Sequence, residues 1–130
     1  MMHGRILRNL SVLAVTLFAA RQVHAVTADA IYESTGVKGG LVVLVGCSDG
    51  KLTAQLRPND RYIVHGLDKD DLQIAAARAH IQARGDYGAV AVDRFDGVSL
   101  PYVKDSVNLL IIRQAWQLSA EEIIRVLAPR

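Results

Sequence analysis

The stretch GGLVVLVG, residues 39–46, limits the possible folds more than any other part of this chain. It is a continuous run of apolar and mostly β-branched residues between glycines, with no alternation of apolar and polar positions. Such a run is typical of a strand that is covered on both faces, as the strands of a parallel sheet are. The stretch therefore favours the α/β class with a parallel sheet.

Three further segments have strand character, and helical patterns separate them. The predicted strands are RYIVHGLD at 61–68, YGAVAVDRFD at 87–96 and SVNLLII at 106–112. The predicted helices are ADAIYEST after Thr27, DGKLTAQL, DLQIAAARAHIQAR after Asp70, and SAEEIIRVLAP with a Ser119–Glu122 capping box. In the third helix we expect one packing face, formed by Leu72, Ala75, Ala76 and Ala79. Strands alternating with helices predict a doubly wound parallel sheet.

The first 25 residues have the composition of a secretory signal peptide. Arg5 and Arg8 precede the apolar run SVLAVTLFAA, and small residues at Val23 and Ala25 mark an exit site. The run is shorter than the ~20 residues that a membrane span needs. We therefore expect cleavage near Ala25, a mature chain without a membrane span, and export to the periplasm or the outside. The alternatives are a buried N-terminal helix and a membrane anchor.

Charge and cysteine content exclude several classes of function. The whole chain has 15 Lys and Arg against 13 Asp and Glu. Without Arg5, Arg8 and Arg21 the balance is 12 − 13 = −1, so the mature chain lacks the basic surface typical of nucleic-acid binding. Cys47 is the only cysteine, which excludes a disulfide framework and a Cys/His metal site. We expect a buried free thiol.

The glycine turn VGCSDG follows the first predicted strand, where parallel sheets bind ligands. A P-loop requires four residues between its glycines and a Ser or Thr after the lysine, whereas three separate Gly46 from Gly50 and Leu52 follows Lys51. A dinucleotide loop requires glycine where Ser48 and Lys51 stand. Neither loop fits.

VVLVGCSDG instead resembles motif I of the class I S-adenosylmethionine-dependent methyltransferases, with Ser48 at the centre of their G-x-G-x-G pattern. The segments VHGLDKDDLQIAAARAHI, VDRFDGVSLPY, DSVNLLII and EEIIRVLAP resemble later segments of the same family, in order. The resemblance implies a Rossmann-like methyltransferase fold over residues 26–130. It covers the N-terminal half only, because family domains have seven strands and this sequence predicts four.

The family pattern also implies S-adenosylmethionine as the cofactor. Gly46, Ser48 and Gly50 would form the cofactor loop, Asp68 would accept both ribose hydroxyls, and Asp96 would lie beside the adenine. The sequence departs from the pattern at Ser48 and at Leu44, which stands where the family has an acid.

These expectations favour transfer of a methyl group to an unidentified small acceptor. IIRQAW follows the fourth strand in place of the N-P-P-Y-like sequence of enzymes that methylate nucleic-acid amino groups. No catalytic base and no metal ligand are predicted. The alternatives are a non-catalytic exported module, possibly a fragment of a larger protein, and a nicotinamide-dependent oxidoreductase. A fourth strand at the end of the sheet would also be an exposed apolar edge open to association.

Overall fold

The computed structural model describes residues 14–16 and 26–129. The strands in these residues are Ala14–Thr16 (β1), Gly40–Val45 (β2), Tyr62–Asp68 (β3), Val90–Arg94 (β4) and Leu109–Ile112 (β5). The helices are Ala28–Thr35 (α1), Lys51–Gln55 (α2), Asp71–Ala83 (α3) and Ala120–Val126 (α4). All strand pairs are parallel, in the order β1-β5-β2-β3-β4. The predicted doubly wound parallel sheet is confirmed.

Strand β2 lies at the centre of the sheet because both of its faces are apolar. Val42 and Leu44 pack into the core under α1, α2 and α3, whereas Val43 and Val45 pack into a second core with α4 and the loop before β5. All four side chains are 0% exposed. A strand that is buried on both faces thus has a continuous apolar sequence, as predicted.

Side chains at three helix N-termini satisfy backbone N–H groups that the helices leave free. Thr27 accepts a hydrogen bond from Ala30, Asp70 from Leu72, and Ser119 from Glu122. These caps confirm the predicted starts of α1, α3 and α4.

The predicted packing face of α3 is wrong. Leu72 is 82% exposed, and the residues that pack against the sheet are Ile74, Ala77 and Ile81. Their spacing of three and four residues also forms one helical face, and it carries two bulky isoleucines. Burying these isoleucines removes more apolar surface from water than burying a face of alanines would.

Strand β1 lies within the predicted leader, whose other residues lie outside those that the structure describes. It pairs with β5 in parallel, with Ala14 opposite Leu110 and Thr16 opposite Ile112. In the uncleaved chain β5 is therefore not an edge strand, and the expectation of an exposed edge there is wrong. The pairing supplies partners to backbone groups that an edge strand would leave free. In the described part of the chain, no helix is long and apolar enough to cross a membrane.

Candidate functional site

The carboxyl ends of β2, β3 and β5 meet at one edge of the sheet and surround a cavity of about 360 Å³. This volume lies in the range of ligand pockets, ~300–1,000 Å³. The cavity is polar, and the residues that line it are Ser48, Asp68, Lys69, Asp70, Gln73, Gln114 and Trp116. The structure thus brings Ser48 and Asp68 together, as the sequence predicts for two residues at neighbouring strand exits.

Asp68 is the buried charged residue of the site, with 5% of its surface exposed. Its Oδ2 accepts a hydrogen bond from the Ser48 N–H at 3.2 Å. Its Oδ1 accepts from the N–H groups of Lys69 at 2.9 Å and Asp70 at 3.0 Å. Such bonds offset the cost of taking a carboxylate out of water. A carboxylate has about four acceptor directions, so one remains, on Oδ2.

The glycine turn requires glycine at both of its ends. Gly46 has φ +89°, and a Cβ there would lie 3.0 Å from the Gln114 Cβ. Gly50 has φ +83°, and a Cβ there would lie 2.8 Å from both the Cα and the Cβ of Ala77 on α3. Gly46 therefore permits the sharp exit from the strand, and Gly50 permits close packing against α3.

Ser48 stands between these glycines with φ +50°, in the left-handed region. For a residue with a Cβ this conformation costs about 1–2 kcal/mol. The strain accounts for glycine at this position in the related motif. It is tolerated here because the Ser48 N–H points at the buried carboxylate of Asp68.

Asp96 is exposed, and its side chain organises its own turn. Its Oδ1 accepts from the N–H groups of Val98 and Ser99, both at 2.8 Å, and these bonds lower the pKa of the carboxyl. Asp96 does not line the cavity with Asp68. The turn nevertheless adjoins the cavity, because a Cβ at Gly97 would lie 2.8 Å from the Lys69 Cδ and 3.3 Å from the Trp116 Cβ, and both of these residues line the cavity. A place beside adenine stays a prediction for Asp96.

Lys69 and Gln73 also line the cavity, and sequence reasoning missed both. Lys69 directly follows Asp68, and Gln73 lies in the first turn of α3, so their positions near the predicted acid were the available signal. Trp116 is half-buried, packs edge-on against Phe95 at 5.4 Å and has φ +45°. A bulky residue in this conformation is held by its surroundings, and such positions cluster at functional sites.

Leu44 and Cys47 lie behind the turn rather than in the cavity. Leu44 is 0% exposed and belongs to the core, so its side chain leaves the cavity without the acid of the family pattern. Cys47 is a buried free thiol, as predicted. Burial, and then the nearby Asp68 charge, raises the pKa of this thiol to about 12, which removes it as a nucleophile. Among the described residues, no His, Cys, Asp and Glu cluster could hold a metal.

A second polar cluster lies away from the cavity and connects two strands with the loop before β5. The His65 ring contacts the Tyr102 hydroxyl through Nδ1 and the Asp93 carboxylate through Nε2, the latter at 2.6 Å. Arg78 donates to the other Asp93 oxygen at 3.0 Å. His65 is therefore a packed strand histidine rather than a base in the site.

A family model described as a methyltransferase domain matches residues 43–130. The chain belongs to this methyltransferase family. The match covers the glycine turn, Asp68 and the whole of α4, so the motif resemblance and the fold agree. No protein of the curated set matches the chain at a significant level.

Solved structures show the same fold for the family domain. An S-adenosyl-L-methionine-dependent methyltransferase so described from Methanococcus maripaludis has a TM-score of 0.69 and 19% identity over 78% of this chain and 49% of its own. The cyclase SpnF has a TM-score of 0.68 and 26% identity over 78% and 40%. Geranyl diphosphate C-methyltransferase from Streptomyces coelicolor, solved with S-adenosyl-L-homocysteine, has 0.66 and 15% over 78% and 41%. The chain therefore spans less than half the length of these structures.

Proposed function

We propose that this domain binds S-adenosylmethionine in the cavity beside Asp68 and serves transfer of its methyl group to a small acceptor. One observation carries the proposal: the buried Asp68 carboxylate holds the glycine turn and keeps one acceptor direction free at a cavity of suitable volume. A neutral cavity floor would offer no comparable partner for a ribose hydroxyl. Family membership and the fold of the solved relatives support the same cofactor.

The residues present fit a nucleoside ligand. The free acceptor direction on the Asp68 Oδ2 suits one ribose hydroxyl, and a second hydroxyl on Oδ1 would compete with the N–H groups of Lys69 or Asp70. Gly46 and Gly50 let the turn pack closely against Gln114 and Ala77, with Ser48 between them at the cavity. Trp116 supplies an aromatic wall. When bound, the cofactor supplies an electrophilic methyl group.

The role of the protein is then to hold cofactor and acceptor in line, because proximity and orientation supply much of the rate of such transfers. No side chain in the cavity is placed as a catalytic base. We propose a small-molecule acceptor of unassigned class.

The second candidate is a module that keeps the fold without catalysis. Two observations favour it: Leu44 leaves the cavity without an acid, and Ser48 places a strained side chain in the turn. The fold alone does not decide the chemistry, since one solved neighbour is named a cyclase.

Calorimetric titration of the whole chain with S-adenosylhomocysteine and with NAD tests the first proposal. We expect micromolar binding of S-adenosylhomocysteine and a loss of at least tenfold in affinity in Asp68→Asn. Asp71→Asn is the matched control, because Asp71 is exposed, pairs with Arg94 at 3.4 Å and does not line the cavity.

The outcomes separate the candidate functions. No heat with either ligand, from a sample whose circular dichroism shows a folded domain, would leave the non-catalytic module. Tight binding of NAD alone would contradict the cofactor assignment. Equal losses in Asp68→Asn and Asp71→Asn would contradict the site.

We further propose that the protein is exported and cleaved near Ala25. The basic start, the short apolar run and the small residues before Val26 support this proposal. Expression of the full-length chain in a bacterium, followed by N-terminal sequencing of the periplasmic fraction, tests it. Uncleaved protein confined to the cytoplasm would contradict export.

A further inference from the structure

We propose that Lys69 is a specificity-determining residue of the candidate site, and that its ammonium donates a hydrogen bond to a ring nitrogen of a purine base. The inference rests on the proposed function, because the base is that of the nucleoside bound beside Asp68. It deepens that function by assigning recognition of the base to a charged side chain outside the glycine turn.

The side chain of Lys69 joins the cavity to the turn that follows β4. Lys69 lines the cavity and directly follows the buried Asp68. A Cβ at Gly97 would lie 2.8 Å from the Lys69 Cδ and 3.3 Å from its Nζ, so the lysine stem lies against this glycine. The same Cβ would lie 3.3 Å from the Trp116 Cβ. The ammonium therefore lies on the side of the cavity where Trp116 and the Gly97 turn meet.

The Lys69 ammonium keeps its hydrogen-bond donors for a ligand. Within residues 14–16 and 26–129, no ion pair includes Lys69. A lysine ammonium has three donors and no acceptor. Because the stem already packs against Gly97, less rotamer freedom remains to be lost when a ligand binds.

The acids around the ammonium decide which ligand group it suits. Asp68 and Asp70 line the same cavity. Hydrogen bonds within its own turn are the largest cause of the lowered pKa of Asp96, and the nearby charge of Lys69 adds to them. A ligand carboxylate beside Lys69 would therefore face three negative charges, and like charges repel at such range. A neutral acceptor avoids this repulsion.

Ring nitrogens are the neutral acceptors of a bound nucleoside that suit this position. The ribose hydroxyls act as donors to the Asp68 carboxylate, and the base is attached directly to the ribose. The adenine ring carries nitrogen acceptors, such as N7, on an uncharged group. An ammonium one residue after the ribose-binding acid is thus placed to select the base by hydrogen bonding.

Removal of single ring nitrogens from the ligand, combined with removal of the ammonium, tests the contact. Calorimetric titration of the whole chain compares S-adenosylhomocysteine with its 1-deaza, 3-deaza and 7-deaza analogues, in which a C–H group replaces one ring nitrogen. Lys69→Met removes the ammonium and keeps an unbranched stem against Gly97. Lys51→Met is the matched control, because the Lys51 side chain is 70% exposed, pairs with Asp49 at 3.9 Å and does not line the cavity.

We expect one of the three analogues to bind the wild-type chain about fivefold more weakly than S-adenosylhomocysteine, as the loss of one hydrogen bond predicts. Lys69→Met should bind S-adenosylhomocysteine about fivefold more weakly and should not distinguish it from that analogue. Lys51→Met should keep the wild-type pattern. The ligand 5′-methylthioadenosine, which lacks the amino-acid tail, should show the same effect of Lys69→Met.

Three results would overturn the inference and leave the proposed function standing. The first is unchanged affinity for S-adenosylhomocysteine in a Lys69→Met chain that circular dichroism shows to be folded. The second is the absence of any analogue whose weaker binding depends on Lys69. The third is an effect of Lys69→Met that disappears with 5′-methylthioadenosine, which would assign the ammonium to the amino-acid tail. Failure of the wild-type chain to bind any of these ligands would contradict the proposed function itself.

Discussion

Ser48 has an unfavourable backbone conformation and Asp68 is an unfavourably buried carboxylate, and one hydrogen bond joins the two residues. Ser48 holds a left-handed backbone conformation that favours glycine, and Asp68 holds a charge with 5% exposure. The bond from the Ser48 N–H to the Asp68 Oδ2 at 3.2 Å satisfies the carboxylate only while the turn keeps this conformation. The conformation of the turn and the burial of the acid therefore support each other.

Replacing Ser48 with glycine should stabilise the domain. Ser48→Gly removes about 1–2 kcal/mol of backbone strain and adds a smaller entropy cost in the unfolded chain, so the free energy of unfolding should rise by about 1 kcal/mol. Urea unfolding measures the change. The control Ser99→Gly, at a position without positive φ, should lower the free energy of unfolding. A loss of stability in Ser48→Gly would show that the serine side chain has a role of its own.

At the scale of elements, the glycine turn and α3 are fitted to each other. The Gly50 position faces Ala77 on the buried side of the helix, and both residues must be small for the two segments to approach. Close packing of this kind fixes α3 against the strand exits. The N-terminus of α3 then places Asp70 and Gln73 at the cavity.

Gly50 and Gly85 have similar backbone conformations but different surroundings. Alanine substitutions at the two positions therefore separate steric crowding from backbone strain. Gly50→Ala combines φ +83° with a contact of 2.8 Å to Ala77, and it should lower the free energy of unfolding by about 2–4 kcal/mol. Gly85→Ala has φ +78° and no atom within 4 Å, so it should lose only about 1 kcal/mol. Denaturant unfolding of both variants checks the difference. Equal losses would mean that α3 moves away at no cost.

Two side chains of helix α4, Glu122 and Arg125, hold the loop before β5. The Glu122 Oε2 accepts from the Leu100 N–H at 2.7 Å, and Arg125 donates to the Leu100 O at 3.0 Å and the Tyr102 O at 2.8 Å. Glu122 and Arg125 also pair with each other at 2.7 Å. The loop that carries Asp96 is thus fixed to the helix.

This pair predicts a dependence of stability on pH. The hydrogen bond from Arg125, above all, lowers the pKa of the Glu122 carboxyl below its usual value of about 4.3. A depressed pKa gives stability that is present above pH ~5 and lost as the pH falls through the folded pKa. Glu122→Gln should therefore be less stable than wild type at pH 7, and the gap should close towards pH 3. Thermal unfolding across this range measures it, and a constant gap would contradict the assignment.

At the scale of the molecule, the cavity exists only while the segments that follow three strands keep their relative positions. Its lining comes from the turn after β2, the segment after β3 and the loop after β5. A ligand that contacts all three should therefore stabilise the whole fold, because it binds the folded state and not the unfolded one.

We expect S-adenosylhomocysteine at 100 times its dissociation constant to raise the free energy of unfolding by about 2.7 kcal/mol. The increment should fall in Asp68→Asn at the same ligand concentration and persist in Asp71→Asn. Urea unfolding with and without ligand measures both. An unchanged midpoint at saturating ligand would contradict binding to the folded domain.

The sequence by itself determined the class of the fold, the central strands, the caps at Thr27, Asp70 and Ser119, and the family. These features depend on local chemistry: apolar runs, side chains that accept from nearby N–H groups, and glycines at turns. They leave a pattern in the order of residues, which can be interpreted without knowing what packs against them.

The tertiary structure decided which face of α3 is buried, which residues line the cavity and what covers β5. Leu72 and Ile74 are both apolar neighbours on one helix, and only the position of the sheet separates them. Lys69, Gln73 and Gln114 reach the cavity because three distant segments end at one edge. Strand β1 was hidden because its apolar run also suits a leader, and only the free backbone edge of β5 gives it a partner.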